Sequence, residues 1–219
     1  MPSPFLIVKR SDPNSKEIIE SMHRLRYQVF YQELGWTDGF TFIDGKEYDG
    51  YDHEHCRYVL HLDKQGEVNF AIRLTPSDIS YSLSEDHFSD ALKYVSLPKS
   101  KRIWIWSRTC ISKQLREEMK GKLFLHLLSC VYEFGIQNNI DGYFATLLTV
   151  YENELHKLGC YPVELGEAFS TQFEVSKIYL FPVNPQILEI HRKSNNIGKE
   201  TKGIRHTSLP DNTYNGKVI

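Results

Sequence analysis

The chain has 219 residues, 41% of them hydrophobic and 25% charged, with a formal net charge of −2. That is enough apolar mass for one domain with a real core, and the near-neutral balance gives no global positive field to favour nucleic acid as a partner. No run of about 18 apolar residues occurs, which excludes a helical membrane span. Aromatic residues reach 13%, with 13 Tyr and 12 Phe; a sheet-rich core explains this most simply, and an aromatic-lined pocket is the second account. Cys56, Cys110, Cys130 and Cys160 are scattered, form no C-x-x-C pair and follow no signal-peptide pattern. They read as buried thiols in a reducing cytoplasm.

Residues 5–8 form an apolar run too short for a secretory core and read as a first strand. Ile18, Met22, Leu25 and Val29 recur at helical spacing, predicting a helix over 15–34 that Gly35 stops. Residues 37–50, rich in Gly, Asp and aromatics, read as a long loop, and long loops in compact domains are often functional. Strands follow at 58–62 and 68–74 around a turn at 63–66, then a polar loop over 76–99 with a short helix near 86–94. A strong strand covers 103–111. An amphipathic helix over 113–134 carries Leu115, Met119, Leu123, Leu127 and Val131 on one stripe. A strand at 143–149, a helix at 152–158 stopped by Gly159, and a last strand at 173–181 ending at Pro182 complete the pattern. From Ile190 the composition turns to Lys, Asn, Gly and Thr. Residues 1–193 are expected to form one domain and 194–219 a weakly ordered polar tail. The order of elements implies a mixed α/β sheet with helices on both faces.

Three groups of side chains carry candidate chemistry. Arg26 and Phe30 share a helix face, with Trp36 just beyond. A core-facing arginine is costly unless a carboxylate receives it, and Glu47, Asp49 and Asp52 supply carboxylates in the next loop. Arg73 and Arg108 lie on or end predicted strands. One reading is a single buried ion-pair network; the other is separate surface charges. The run Asp52-His53-Glu54-His55-Cys56 has residue types that suit zinc, but His61, His87 and His126 are isolated and no second ligand pair follows, so no metal site is expected. Cys110 lacks a His or Asn context and reads as a buried thiol, not a nucleophile. Trp104 and Trp106 alternate with Ile103 and Ile105, so a strand sends the pairs to opposite faces. One face is core and the other a candidate pocket lining.

Arg26-x3-Phe30-x5-Trp36, Asp49-x2-Asp52, Arg73-Leu-x-Pro76 and Ser107-Arg108, in that order, resemble the acyl-homoserine-lactone synthase (autoinducer synthase) family. Leu158-Gly159 followed by Tyr179-Leu-Phe-Pro-Val183 is similar to that family's end. The resemblance covers roughly residues 5–183. It implies a GNAT-like three-layer αβα sandwich whose mixed sheet splays into a V. It also implies acyl transfer from an acyl carrier protein, or from acyl-CoA, to the amine of S-adenosylmethionine. Lactone closure then expels methylthioadenosine, with no tightly bound cofactor. Carried over position by position, Phe30 and Trp36 enclose S-adenosylmethionine, and Arg26, Asp49, Asp52, Arg73 and Arg108 form a charged catalytic cluster. Thr149 and, as a looser match, Phe88 fall at substrate-binding positions of the family; Ser107 of the Ser-Arg motif and, from the strand's faces, Trp104 and Trp106 are further substrate-binding candidates.

One departure matters. Where the family typically reads Glu-x-Ser-Arg, with the glutamate a proposed general base, this chain has Ile105-Trp106-Ser107-Arg108. The attacking amine is an ammonium at neutral pH and must lose a proton, which isoleucine cannot accept. Asp49, Asp52 or a water they hold is one alternative; a different amine substrate is the second; a catalytically silent binding protein is the third. The helix after the long strand has one glycine, Gly121, and no G-x-G/A turn to grip a pyrophosphate. That disfavours a generic acetyl-CoA enzyme. Lys113, Arg116, Lys120 and Lys122 suit an acidic carrier protein, although interleaved Glu117 and Glu118 equally describe a solvated helix face.

Overall fold

The computed structural model describes residues 5–37, 40–79, 99–119, 122–157, 159–170, 175–195 and 205–206. Strand β1 (Leu6–Lys9) leads to helix α1 (Lys16–Arg26), which continues as a π-helical turn over Tyr27–Glu33. A small hairpin follows, β2 (Thr41–Ile43) and β3 (Lys46–Tyr48), then β4 (Arg57–Leu62), β5 (Val68–Pro76) and β6 (Ile103–Ile111). Helices α2 (Lys113–Met119) and α3 (Lys122–Gln137) cross to β7 (Gly142–Leu148). Helix α4 (Glu152–Lys157), strands β8 (Val163–Ser170) and β9 (Val175–Pro182), helix α5 (Pro185–Ser194) and strand β10 (Arg205–His206) end the chain.

Eight strands form one sheet in the order β10-β1-β4-β5-β6-β7-β9-β8. Alternation along each strand builds two apolar layers. Val8, Tyr58, Leu60 and Ala71 meet α1 through Ile19, Met22 and Leu25, and the π turn through Val29. On the other face Ile7, Val59, Ile72, Leu74, Trp104 and Trp106 meet α3 through Leu127, Leu128 and Val131, and α5 through Leu188. Helix α3 lies close on β7. The Tyr143 hydroxyl donates to the Val131 carbonyl at 2.9 Å, and a Cβ on Gly135 would fall 2.8 Å from that same hydroxyl.

The sheet opens at one place. Parallel strands β6 and β7 pair only through Ile103–Gly142, Trp104–Tyr143, Ile105–Phe144 and Trp106–Ala145. Beyond Trp106, β6 stays with β5 as far as Ile111, while β7 stays with β9 as far as Leu148. The two arms therefore part as a V, and the fold is the mixed three-layer arrangement expected.

Four local expectations are corrected. The loop over 37–50 contains the β2–β3 hairpin; Asp44 and Gly45 both take positive φ (49° and 71°), the two-residue Asp-Gly turn that matches strand twist. The helix expected to end at residue 134 runs on to Gln137; it is described over Lys113–Met119 and Lys122–Gln137. Strand β8 was missed because it is an edge strand, mostly exposed along its length, and lacks apolar alternation. Helix α5 follows the expected last strand, where no helix is expected; Asn184 caps it, its side chain accepting from the Ile187 N–H at 2.9 Å, with Pro185 in the first turn. Within the expected tail, Arg205 and His206 pair in parallel with Leu6 and Ile7. The short helix expected near 86–94 lies outside the described residues.

Candidate active site

Arg26 continues the buried stripe of α1 from Ile19 and Met22 and has no exposed surface. The π turn then widens the helix: the Leu34 N–H donates to the Val29 carbonyl, five residues back, at 3.1 Å. Gly35, at φ +69°, donates to the Tyr31 carbonyl at 3.0 Å, and the Trp36 N–H returns to the Phe30 carbonyl at 2.8 Å. This left-handed exit folds Trp36 back on Phe30, with ring centres 5.3 Å apart and planes 7° apart.

On the sheet side, Arg73 of β5 faces Ser107 of β6. Between that pair and Ala71–Cys110, β5 has one residue and β6 has two, a β-bulge. Arg108 occupies the bulge at φ +53°. In a regular strand Ser107 and Arg108 would point to opposite faces; the bulge lets both serve the same cluster. The Ser107 hydroxyl accepts from Arg73 Nε at 3.1 Å, and Arg108 Nε donates to Glu47 Oε1 at 3.2 Å.

The carboxylates arrive from the hairpin. Glu47 is the inward residue of β3 and is fully buried. Arg26 Nε donates to Glu47 Oε2, and Arg26 Nη1 donates to Asp52 Oδ1 at 2.9 Å. Arg73 Nη1 donates to Asp49 Oδ1 at 2.5 Å and to Asp52 Oδ1 at 3.2 Å. Arg108 Nη2 meets Asp49 Oδ2 at 2.8 Å. The Tyr58 hydroxyl adds a bond to Asp52 at 2.8 Å, and His23 Nδ1 donates to the Glu47 carbonyl at 2.6 Å. Cys56 Sγ reaches the Tyr51 carbonyl at 3.0 Å, tying down the loop between the two aspartates.

Burial alone would raise the Asp52 carboxyl, but Arg26 and Arg73 outweigh it and hold the group far below the usual carboxylate range. Asp52 held in this way is a weak base. Burial, helped by Arg26, pushes the His23 imidazole down. Burial raises the Cys110 thiol to about 12, which suits its reading as an inert core thiol.

Beside the ion pairs lies an aromatic group. Phe40 stands 5.6 Å from both Phe30 and Trp36. The Arg108 guanidinium lies 4.4 Å from the Phe40 ring centre and 5.9 Å from that of Phe30. Charged cluster and aromatic group thus share one side chain.

The structure brings Arg26, Asp49, Asp52, Arg73, Arg108, Ser107, Phe30 and Trp36 together. Thr149 is elsewhere, in a 3-10 turn after β7, bonded to the Val175 carbonyl at 3.3 Å. Trp104 and Trp106 project to the opposite face, into the layer under α3. Ile105 projects to the cluster's face of the sheet but is 1% exposed, packed with Phe144, Ile103, Leu165 and Leu180. Lys113 is exposed; Arg116 is engaged with Glu33 and with the Ile111 carbonyl at 2.7 Å. Phe88, Lys120 and the Lys122 side chain lie outside the described residues. Sequence reasoning saw Glu47 as a carboxylate but did not place it among the catalytic residues, and it missed Phe40, Tyr58 and His23. The Asp44-Gly45 turn was the available signal, since it sets which β3 side chain faces inward. Nothing in the sequence marks Phe40.

The autoinducer synthase family pattern matches residues 11–187. The isovaleryl-homoserine lactone synthase of Bradyrhizobium diazoefficiens is 30% identical over 151 residues, spanning 69% of this chain and 66% of that protein. The fold is similar to that of BjaI, a CoA-dependent acyl-homoserine lactone synthase solved with SAM and isopentyl-CoA (TM-score 0.82, 23% identity, 93% of each chain). Likeness to a structure from Lactobacillus plantarum described as an N-acetyltransferase is weaker, covering 83% of this chain and all of that one (TM-score 0.54, 14% identity), and extends the fold to the GNAT class. No helix among the described residues is long and apolar enough to cross a membrane. Matched across most of its length, with the cluster's residues inside the matched span, the chain belongs to the autoinducer synthase family.

Proposed function

We propose that this protein makes an N-acyl-homoserine lactone, a quorum-sensing signal, from S-adenosylmethionine and an acyl-pantetheine thioester. The observation that carries the reading is the shared side chain of Arg108, paired with Glu47 and Asp49 on one side and stacked on Phe40 and Phe30 on the other. A cationic, aromatic and carboxylate-bearing substrate needs such surfaces side by side. Phe30, Trp36 and Phe40 enclose S-adenosylmethionine. The ion-pair network fixes the hairpin and the loop after it against β5 and β6, so the substrate's amine meets the thioester at the V between β6 and β7.

The amine then attacks the thioester carbonyl; a C–N bond forms, the C–S bond breaks, and the pantetheine thiol leaves. The ammonium proton passes to a water held by the cluster's carboxylates, because Ile105 is apolar and Asp52, paired with two arginines, is itself a weak base. The substrate's carboxylate next attacks its own γ-carbon, closing the lactone and releasing methylthioadenosine. The donor is a cytoplasmic thioester on CoA or on an acyl carrier protein, which share the phosphopantetheine arm. For the carrier protein, Lys113 offers a free cation beside the entrance.

Incubation with S-adenosylmethionine and acyl-CoA or acyl-carrier-protein donors, read by mass spectrometry, tests this. Lactone with stoichiometric methylthioadenosine is expected. An N-acyl amino acid without methylthioadenosine, or binding without turnover, would overturn it.

A further inference from the structure

The charged cluster and the two indoles of β6 lie on opposite faces of the sheet, separated only by the thickness of one strand. Ser107 contacts Arg73 on the cluster's face, and its neighbour Trp106 enters the apolar layer on the other. The V begins immediately beyond the Trp106–Ala145 pair. If the chain acylates S-adenosylmethionine as proposed above, the thioester carbonyl lies in that opening. Its hydrocarbon tail then has the layer under α3 as its apolar medium.

Trp106 blocks that route at the start. Its ring centre is 5.5 Å from that of Phe181 on β9 and 6.3 Å from that of Tyr143 on β7. The indole therefore reaches across β7 and over Ala145, whose small side chain leaves it room. Its N–H donates to Thr109 Oγ1 at 2.7 Å. Trp104 fills the next level, edge-on to Phe134 at 5.7 Å, with its N–H donating to the Lys101 carbonyl at 2.9 Å. Turning either ring aside leaves an indole N–H without its partner in a closely packed interior. We propose that Trp106 is the end wall of the acyl site and restricts the donor to a short acyl chain.

The test uses the full chain with saturating S-adenosylmethionine and butanoyl, hexanoyl, octanoyl and decanoyl thioesters, supplied as CoA esters and on carrier protein. Methylthioadenosine release and product mass are read for the wild type, Trp106→Leu and Trp106→Phe. The wild type is expected to lose about tenfold or more in kcat/KM from butanoyl to octanoyl, a size of discrimination typical of hydrophobic pockets. Trp106→Leu should raise the octanoyl-to-butanoyl ratio by about tenfold, with KM for S-adenosylmethionine unchanged. Trp106→Phe, which keeps an aromatic ring and needs no hydrogen-bond partner, should shift the ratio in the same direction by less, and it serves if the leucine variant does not fold. A wild type that uses octanoyl as well as butanoyl, or folded variants with an unchanged ratio, would overturn the end wall while leaving lactone synthesis standing. Absence of methylthioadenosine with every donor overturns the functional reading itself, and the end wall with it.

Discussion

Glu47 joins Arg26 to Arg108: one carboxylate oxygen takes Nε of Arg26, and the other accepts Nε of Arg108 at 3.2 Å. Asp49 makes a second, longer link, its Oδ2 lying 2.8 Å from Arg108 Nη2 and 3.8 Å from Arg26 Nη2. Removing Glu47 leaves a fully buried guanidinium short of a partner. We expect Glu47→Ala to cost about 3–5 kcal/mol and Glu47→Gln less, read from urea midpoints by tryptophan fluorescence. Equal midpoints for Glu47→Ala and the wild type would show that the bridge carries no stability.

Arg108 differs from Arg26 and Arg73 in being partly accessible, at 16% of its side chain against 0% and 1%. Its replacement should therefore separate function from folding. Arg108→Lys keeps the charge but loses the planar fork and the stacking on Phe40. The expected result is a melting temperature within a few degrees of wild type and product formation reduced at least about tenfold. Near-normal turnover would remove Arg108 from the site.

Ile105→Glu restores the carboxylate that the family typically carries, but in a buried apolar cluster of Phe144, Leu165 and Leu180. Desolvation raises such a carboxyl, and its ionised form has no partner there. The variant should lose about 2–4 kcal/mol of stability. Per folded molecule it should turn over faster than wild type above neutral pH, where the new carboxylate is ionised and accepts the amine proton. Unchanged pH–rate profiles in the two proteins would show that proton removal does not limit the reaction.

Two groups set opposite ends of the acid stability curve. His23 is held neutral in the fold by burial and by Arg26, whereas in the unfolded chain it protonates near pH 6.5. Its contribution is complete above that pH and drains as pH falls below it, because the unfolded state then binds more protons. Asp52 is held ionised by Arg26 and Arg73, and its unfolded counterpart protonates near pH ~3.9. Its contribution is intact above that value and is lost as the solution becomes more acidic. Urea midpoints across this range should fall in two stages. His23→Gln should flatten the stage that sets in below about pH 6.5, and Asp52→Asn the stage below about pH 4.

The sheet was legible where apolar alternation was strong. Residues 103–111 coincide with β6, and the strands at 58–62 and 68–74 fall within a residue or two of β4 and β5. Arg26, Asp49, Asp52, Arg73 and Arg108 were legible as a possible network because an arginine on a buried helix stripe demands a counter-charge. Phe40 and His23 were not, since their positions depend on how the hairpin folds back over α1, a tertiary event with no local periodicity. The Ser107–Arg108 bulge was invisible for a related reason: the φ of +53° at Arg108 is imposed by its partners and not favoured by its residue type. Edge strand β8 carries almost no burial, so the period that identifies strands never arose there.

Within the cluster, three guanidinium groups (Arg26, Arg73, Arg108) face three carboxylates (Glu47, Asp49, Asp52), and their formal charges sum to zero. To a molecule approaching through solvent the site is electrically silent, and its charges are felt only at contact range. Capture of the small cationic substrate should then depend on shape and stacking, and its KM should change little between low and moderate ionic strength. An acidic carrier protein, if it is the donor, would have to find the protein through surface lysines. Its KM alone should climb with added salt.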